Sequence, residues 1–198
     1  TPNRHLFSAV MAGYAQRQQI EPIEELLEQL RDLYTRTGDR QFEPQTTNIN
    51  SLLKLYANRK TAEAAGQAQA LLERLANIVQ LDACSINTCI DAWADSGSKD
   101  AVERAQSLLK LPQADAISYT TVMKAWIRSE RPDSAAQCER LLYSMPNPKS
   151  RSYATALHAW SLSKDPEAPL RAEAVYQEML KRHQPTVFVF TSLLLVWA

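Results

Sequence analysis

The sequence is short of glycine, lacks an excess of either charge and contains no long apolar run. Four glycines among 198 residues, against ten prolines, argue against a loop-rich β-sandwich or β-barrel. The 22 basic and 22 acidic residues cancel, which excludes a strongly basic nucleic-acid tail, so any basic surface must be local. The longest apolar stretch, from Val187 to Ala198, is too short to span a bilayer. We therefore predict a helical protein with no membrane partner.

Cysteine is also scarce, and its spacing indicates no chemistry. Cys84, Cys89 and Cys138 form an odd set without a Cys-x-x-Cys pair, which predicts neither a disulfide framework nor a zinc site. The three histidines lack metal-ligand spacing, and no Gly-x-Ser-x-Gly nucleophile motif is present. We expect a reducing compartment, no metal, no cofactor and no enzymatic activity.

A column of aromatic residues repeats along the chain. Six helical segments align, and at the same position of each one stands an aromatic residue: Tyr14, Tyr56, Trp93, Trp126, Trp160 and Trp197. Aromatic residues make up 8% of the chain, so chance does not explain this column. Three apolar columns precede it by three, four and seven residues, the spacing of the buried face of an amphipathic helix. Each repeat is therefore predicted to open with a helix.

A second helical pattern follows each of these first helices except the last. Examples are residues 70–75, 105–109, 140–142 and 174–179, with prolines at the edges of the pattern. The repeat bounds are residues 4–45, 46–82, 83–115, 116–149 and 150–186, with a partial repeat at 187–198. Paired helices at this period predict an all-α solenoid of helix-turn-helix repeats, in which each repeat packs only on its neighbours.

The first helices resemble the opening of the pentatricopeptide repeat family. Residues 85–94, Ser-Ile-Asn-Thr-Cys-Ile-Asp-Ala-Trp-Ala, are similar to its Thr-Tyr-Asn-Thr-Leu-Ile-Asp-Gly-Tyr opening, and Leu81-Asp82 is similar to its closing Pro-Asp. The tetratricopeptide pattern instead has Trp early in the first helix, followed by Leu-Gly. The resemblance covers residues 4–198 and implies a right-handed superhelical solenoid that binds single-stranded RNA, one base per repeat.

The resemblance also implies which residues contact the bases. We call one position of the first helix the base-reading column, and the last residue of the same repeat is its partner. The column is Ser8, Asn50, Asn87, Thr120, Ala154 and Thr191, and the partners of the first five are Gln45, Asp82, Asp115, Lys149 and Thr186. A carboxamide offers a donor and an acceptor to a base edge, and an adjacent acceptor-only Asp fixes its direction. In the family, Asn with Asp favours uridine and Thr with Asp favours guanosine; the alternative for an Asn near a helix start is a cap.

Two further groups are implied on the same helix face. Residues three positions before the base-reading column would clamp the base planes; we call them the clamp column: His5, Thr47, Cys84, Ile117, Arg151 and Phe188. Lys54, Lys124 and Arg128 lie on or near this face and are candidate phosphate contacts.

The resemblance implies a role in RNA processing, stability or translation in a mitochondrion or plastid, although this sequence shows no targeting segment. The alternative is a tetratricopeptide-like scaffold whose groove binds a peptide; a basic groove favours RNA, and a neutral or acidic one favours peptide. A third possibility is the binding arm of a larger processing enzyme. The partial last repeat has no second helix to cover it, so we expect the intact protein to continue after Ala198, with further domains or protein partners.

Overall fold

The computed structural model describes residues 4–76 and 78–197, so Ala198, the last residue of the partial repeat, lies outside the described residues. Within the described ranges every regular element is helical, which confirms the all-α fold class. The chain divides into two compact units, which we call the N-terminal unit, ending at Gln113, and the C-terminal unit, beginning at Ala114.

The N-terminal unit contains three first helices and three second helices. Its helices are α1 (Arg4–Gln16), α2 (Glu21–Thr37), α3 (Thr46–Asn58), α4 (Ala62–Leu75), α5 (Ala83–Ala94) and α6 (Ala101–Ser107). Short 3₁₀ turns follow α2 at Arg40–Phe42 and α6 at Leu108–Lys110. The sequence pattern over 105–109 predicts one continuous helix, but α6 tightens into the 3₁₀ turn. Pro112 disfavours helical backbone in the residue before it, which ends the α-helix early.

The C-terminal unit continues the alternation of first and second helices. Its helices are α7 (Ala116–Arg128), α8 (Ser134–Ser144), α9 (Ser150–Ser161), α10 (Ala168–Leu180) and α11 (Val187–Trp197). In both units the odd-numbered helices are the first helices, and each begins at the residue that opens a predicted repeat.

Neighbouring helices pack as expected for a helical repeat. In each unit a first helix packs on the next first helix, as α3 does on α5 and α9 on α11. Second helices α4, α8 and α10 contact the first helix of their own repeat and also the one that follows. The repeat-like character is therefore present within each unit, and the right-handed superhelix of the whole chain stays a prediction.

The apolar columns form the core of the interior repeats. Ile49, Leu52, Leu53 and Tyr56 of α3 are all at most 1% exposed. Three of these four columns are exposed on α11, where Phe190, Leu194 and Trp197 keep 48%, 72% and 66% of their surface. No second helix follows α11 among the described residues, so the face that is covered on α3 is open there.

The buried tryptophans are held at their polar edges by second helices. Trp93 Nε1 donates to Gln69 Oε1 of α4 at 2.8 Å, and Trp160 Nε1 donates to Glu139 Oε2 of α8 at 3.0 Å. The guanidinium of Arg104 lies 5.4 Å from the centre of the Trp93 ring. Each indole N–H is thus satisfied by the preceding repeat, which allows so large a side chain to be buried at modest cost.

Candidate nucleic-acid interface

The repeat-end residues occupy the N-cap positions of the following first helices. Asp82 accepts from the backbone N–H of Ser85 at 2.8 Å, and Asp115 accepts from that of Ser118 at 2.9 Å. Both pairs form reciprocal capping boxes that satisfy otherwise unpaired N–H groups. Lys149 occupies the same position before α9 without a side-chain cap hydrogen bond. The hydrogen bonds to the first turn of the next helix therefore fix the positions of the Asp82 and Asp115 carboxylates.

The carboxamide of Asn50 contacts two side chains at the start of the next repeat. Its Nδ2 lies 3.2 and 3.3 Å from the two Asp82 oxygens, and its Oδ1 accepts from Ser85 Oγ at 2.6 Å. A reversed carboxamide would put its oxygen against the carboxylate, so these contacts specify one orientation of the amide. The structure therefore brings together the predicted pair of Asn50 and Asp82, and Asn50 remains half-exposed to solvent.

Asp82 is ionised over most of the accessible pH range. Desolvation opposes its ionisation, but hydrogen bonds from the backbone and hydroxyl of Ser85 and from Asn50 together outweigh it. The pKa of the Asp82 carboxyl is therefore lowered below its ordinary value. An ionised Asp82 accepts hydrogen bonds only, which keeps the donor side of the Asn50 carboxamide turned towards it.

The first predicted pair is also joined. Ser8 Oγ donates to Gln45 Oε1 at 3.1 Å, and Asn48 Nδ2 donates to Ser8 Oγ at 2.9 Å. Asn48 is buried, whereas Ser8 is half-buried. Ser8 and Asn50 therefore share one arrangement: each contacts the repeat-end residue and a polar side chain three residues beyond it.

Asn87 differs from Asn50 in its surroundings. Its side chain is half-buried, and its Oδ1 is buried without a hydrogen-bond partner among the described residues. Its predicted partner Asp115 belongs to the C-terminal unit, whereas Asn87 belongs to the N-terminal unit. The pairing of Asn87 with Asp115 therefore stays a prediction.

The base-reading column of the C-terminal unit is less accessible over its first two positions. Thr120 is 7% exposed and donates to the backbone carbonyls of its own helix, while Ala154 is 6% exposed. No hydrogen bond joins Thr120 to Lys149 within the described part of the chain, and Lys149 and Thr186 are exposed. Thr191 is exposed and bonds back to the Val187 carbonyl at 3.0 Å.

The clamp column is exposed in every repeat. Ile117 and Phe188 keep 63% and 52% of their surface, and His5, Thr47, Cys84 and Arg151 are also exposed. The Phe188 ring lies 5.7 Å from that of His158, which is one turn after Ala154 on α9. Large apolar side chains in the clamp column thus face solvent rather than the core.

Charge near the base-reading column differs between the units. In the C-terminal unit Lys124, Arg128, Lys149 and Arg151 are exposed, and the carboxylate of Asp115 lies half-buried at the N-cap of α7. In the N-terminal unit Lys54 of α3 is exposed. It is accompanied by two exposed carboxylates, those of Asp82 at the N-cap of α5 and Asp91 within α5. The C-terminal first helices therefore carry more exposed basic side chains near this column than the N-terminal first helices do.

Two polar residues in this network were missed by sequence reasoning. Ser85 and Asn48 are buried, and each contacts a base-reading residue of the preceding repeat. The signal for Ser85 was the spacing Asp-x-x-Ser at 82 and 85, repeated at 115 and 118, which is typical of a capping box. No comparable local pattern marks Asn48.

Two of the three cysteines are buried thiols with raised pKa values. Burial raises the pKa of the Cys89 and Cys138 thiols to about 12, and Cys84 is exposed. Across residues 4–76 and 78–197 no cluster of three or more metal-ligating side chains occurs, and no helix there is long and apolar enough to cross a bilayer.

No protein-family model matches this chain, and no curated protein matches it either. The resemblance to the pentatricopeptide repeat family therefore rests on the residue columns and repeat endings alone.

Proposed function

We propose that this chain binds single-stranded RNA as a right-handed superhelical array of pentatricopeptide-like repeats, with one base contacted per repeat. It acts as a binding protein rather than an enzyme, in RNA processing, stability or translation in a mitochondrion or plastid. The observation that carries this proposal is the hydrogen-bonded contact of Asn50 with Asp82.

The Asn50 contact supports base recognition because it leaves part of the carboxamide unused. After bonding to Asp82 and Ser85, the amide retains one N–H and one lone pair of Oδ1. These are a donor and an acceptor side by side, the combination that a pyrimidine edge complements. The half-exposed position of Asn50 gives a base access to them.

The exposed clamp column supports stacking on the bases. Ile117 and Phe188 are large apolar side chains held in solvent at the position three residues before the base-reading column. Base stacking on such side chains tolerates every base and adds affinity without choosing sequence. Lys124 and Arg128, which are both exposed, would add contacts to phosphate.

The alternative, a scaffold that binds a peptide, is favoured by one observation, the mixed charge of the N-terminal first helices. Lys54 is accompanied there by Asp82 and Asp91. The basic residues of the C-terminal unit favour RNA instead, because a phosphate backbone requires positive charge.

The deciding experiment is selection of bound RNAs from a random single-stranded pool, followed by filter binding of the enriched sequence. We expect a short enriched motif, weak competition by duplex RNA, and affinity that falls as salt rises, because phosphate contacts release counterions. Equal retention of duplex and single strand, or binding that ignores salt, contradicts the proposal. An array that binds no RNA but retains an acidic or extended peptide supports the scaffold.

A further inference from the structure

We propose that Ser85 is a positioning residue, which fixes the Asn50 carboxamide in one orientation and thereby sets which pyrimidine the repeat accepts. This inference rests on the proposed RNA-binding function. Ser85 is fully buried, so it has no surface to offer a base and acts through Asn50.

The hydrogen bonds around Ser85 favour donation to Asn50. Its Oγ lies 2.6 Å from Asn50 Oδ1 and 2.9 Å from Asp82 Oδ1, but a hydroxyl has only one proton to give. Asp82 Oδ1 already accepts from the Ser85 backbone N–H at 2.8 Å and from Asn50 Nδ2 at 3.2 Å. Asn50 Oδ1 has no other donor among the described residues, and its contact with Ser85 Oγ is the shorter of the two. The shorter contact therefore favours donation of the Ser85 proton to Asn50, with Asp82 as a second acceptor within reach.

Orientation of the carboxamide matters because uracil and cytosine present their hydrogen-bond donor and acceptor in opposite order. Uracil has a donor at N3 beside an acceptor at O4, and cytosine has the reverse. A carboxamide that can rotate by 180° exchanges its donor and its acceptor, so it can bind either base. A carboxamide fixed in one orientation binds one of the two bases in preference to the other. Asp82 accepts a hydrogen bond from Asn50 Nδ2, and Ser85 donates one to Asn50 Oδ1. Together the two contacts disfavour the reversed orientation of the carboxamide.

The chain contains a matched control for this role. Ser118 forms the same capping box with Asp115: its backbone N–H and its Oγ both contact the carboxylate, at 2.9 and 3.1 Å, and it is fully buried as well. The contacts that orient Asn50 come from Asp82 and Ser85. Loss of the Ser118 hydroxyl thus removes a capping contact of α7 and no contact that orients Asn50.

The test compares Ser85→Ala with Ser118→Ala in the full 198-residue chain. Affinity is measured for two single-stranded oligonucleotides that differ only by uridine or cytidine opposite Asn50, at a position taken from the selected motif. We expect wild type and Ser118→Ala to prefer uridine equally, and Ser85→Ala to lose about fivefold of that preference, the effect of one hydrogen bond. Both variants should lower the melting temperature by similar amounts, because both lose one capping hydroxyl.

Each outcome has a distinct meaning. A wild-type preference that persists unchanged in Ser85→Ala, or that falls equally in Ser118→Ala, overturns the role of Ser85 and leaves the proposed function intact. Wild-type protein that binds neither oligonucleotide overturns both. If Ser85→Ala binds neither, Ser85→Cys keeps the shape with a weak donor and should bind both with reduced preference; an undiminished preference there also overturns the inference.

Discussion

The two units build the same helical repeat but differ at its first-helix face. In the N-terminal unit Ser8 and Asn50 are half-buried and hydrogen-bonded to the repeat-end residues. In the C-terminal unit Thr120 and Ala154 are buried and make no such bond. Exposed basic residues on the first helices show the opposite distribution: Lys124, Arg128 and Arg151 belong to the C-terminal unit, whereas the N-terminal unit has Lys54.

Under the proposed function, this comparison separates two requirements of RNA recognition. Sequence choice needs oriented donors and acceptors, and the N-terminal unit has an oriented carboxamide at Asn50. Affinity needs positive charge near the phosphates, and the exposed basic residues of the C-terminal first helices would provide it. We therefore expect substitutions in the N-terminal unit to change which RNA is bound, and substitutions in the C-terminal unit to change how tightly any RNA is bound.

The largest expected difference lies in the tryptophan column. Trp93→Ala should lower the free energy of unfolding by about 3–5 kcal/mol, because it leaves a cavity where the side chain is 5% exposed. Trp197→Ala should change it by less than about 0.5 kcal/mol, since this side chain is mostly in solvent. Denaturant unfolding monitored by circular dichroism measures both.

The same pair tests the open face of α11. We expect the 198-residue chain to self-associate through that face, and Trp197→Ala to weaken the association in sedimentation velocity experiments. A wild-type chain that stays monomeric at high concentration would contradict the open-face argument.

The next effect concerns charge in the C-terminal unit. The triple variant Lys124→Ala, Lys149→Ala, Arg151→Ala should lower RNA affinity on the order of a hundredfold if each cation contacts a phosphate. The slope of log affinity against log salt should decrease by about 2, since single strands lose about 0.7 per phosphate contact. Preference between uridine and cytidine opposite Asn50 should stay unchanged, because Asp82 and Ser85 orient that carboxamide. Filter binding over a salt series measures all three quantities.

The control for this variant removes equal charge elsewhere. Lys60, Lys99 and Lys110 are exposed residues outside the first helices of the N-terminal unit. Their triple replacement by Ala should leave both affinity and salt slope close to wild type. Equal losses in the two triple variants would mean that only total charge matters, and the assignment of affinity to the C-terminal face would be wrong.

A smaller effect is expected from base-reading residues. Asn87→Thr should shift preference at one base from uridine towards guanosine by about 1–3 kcal/mol. Stability should change by less than about 1 kcal/mol. Thr120→Ala should leave base preference unchanged, because the Thr120 hydroxyl is buried and bonded to its own helix. Binding to oligonucleotides that differ at single positions distinguishes the two; an equal loss on all oligonucleotides would show that Asn87 only supports its helix.

The smallest effect is a pH dependence at Asp82. Because its pKa is lowered in the folded state, Asp82 stabilises the fold above the ordinary Asp value of about 4 and loses this contribution as pH falls through the lowered value. The melting temperature of wild type should therefore fall more steeply below about pH 4 than that of Asp82→Asn, which retains a capping oxygen. Parallel melting curves from pH 6 to pH 3 would mean that the Asp82 carboxylate is not stabilised by folding.

Much of the fold followed from local patterns. The first helices begin where the repeat starts were predicted, because residues such as Asp82 and Asp115 cap them and the apolar spacing of 3.6 residues sets the buried face. The early end of α6 was missed because Pro112 acts several residues beyond the apolar pattern.

The candidate site was less predictable, since its properties come from neighbouring helices. The burial of Thr120 and Ala154 depends on how closely adjacent helices approach, which no single repeat encodes. The orientation of Asn50 depends on Ser85, which lies 35 residues further along the chain. The resemblance indicated which residues pair, but not which of them keep an accessible polar edge.

Asp82 serves two purposes, since it caps α5 and holds Asn50. A mutation that changes the partner of Asn50 therefore also changes the residue that caps α5. Asn, Ser and Thr keep a capping oxygen, whereas most other residues give up about 1 kcal/mol of stability. Lys149 occupies the corresponding position of α9 and forms no side-chain cap hydrogen bond. Under the proposed function, only a few substitutions at this position can change the RNA target with little loss of stability. Other substitutions require compensating mutations elsewhere in the repeat.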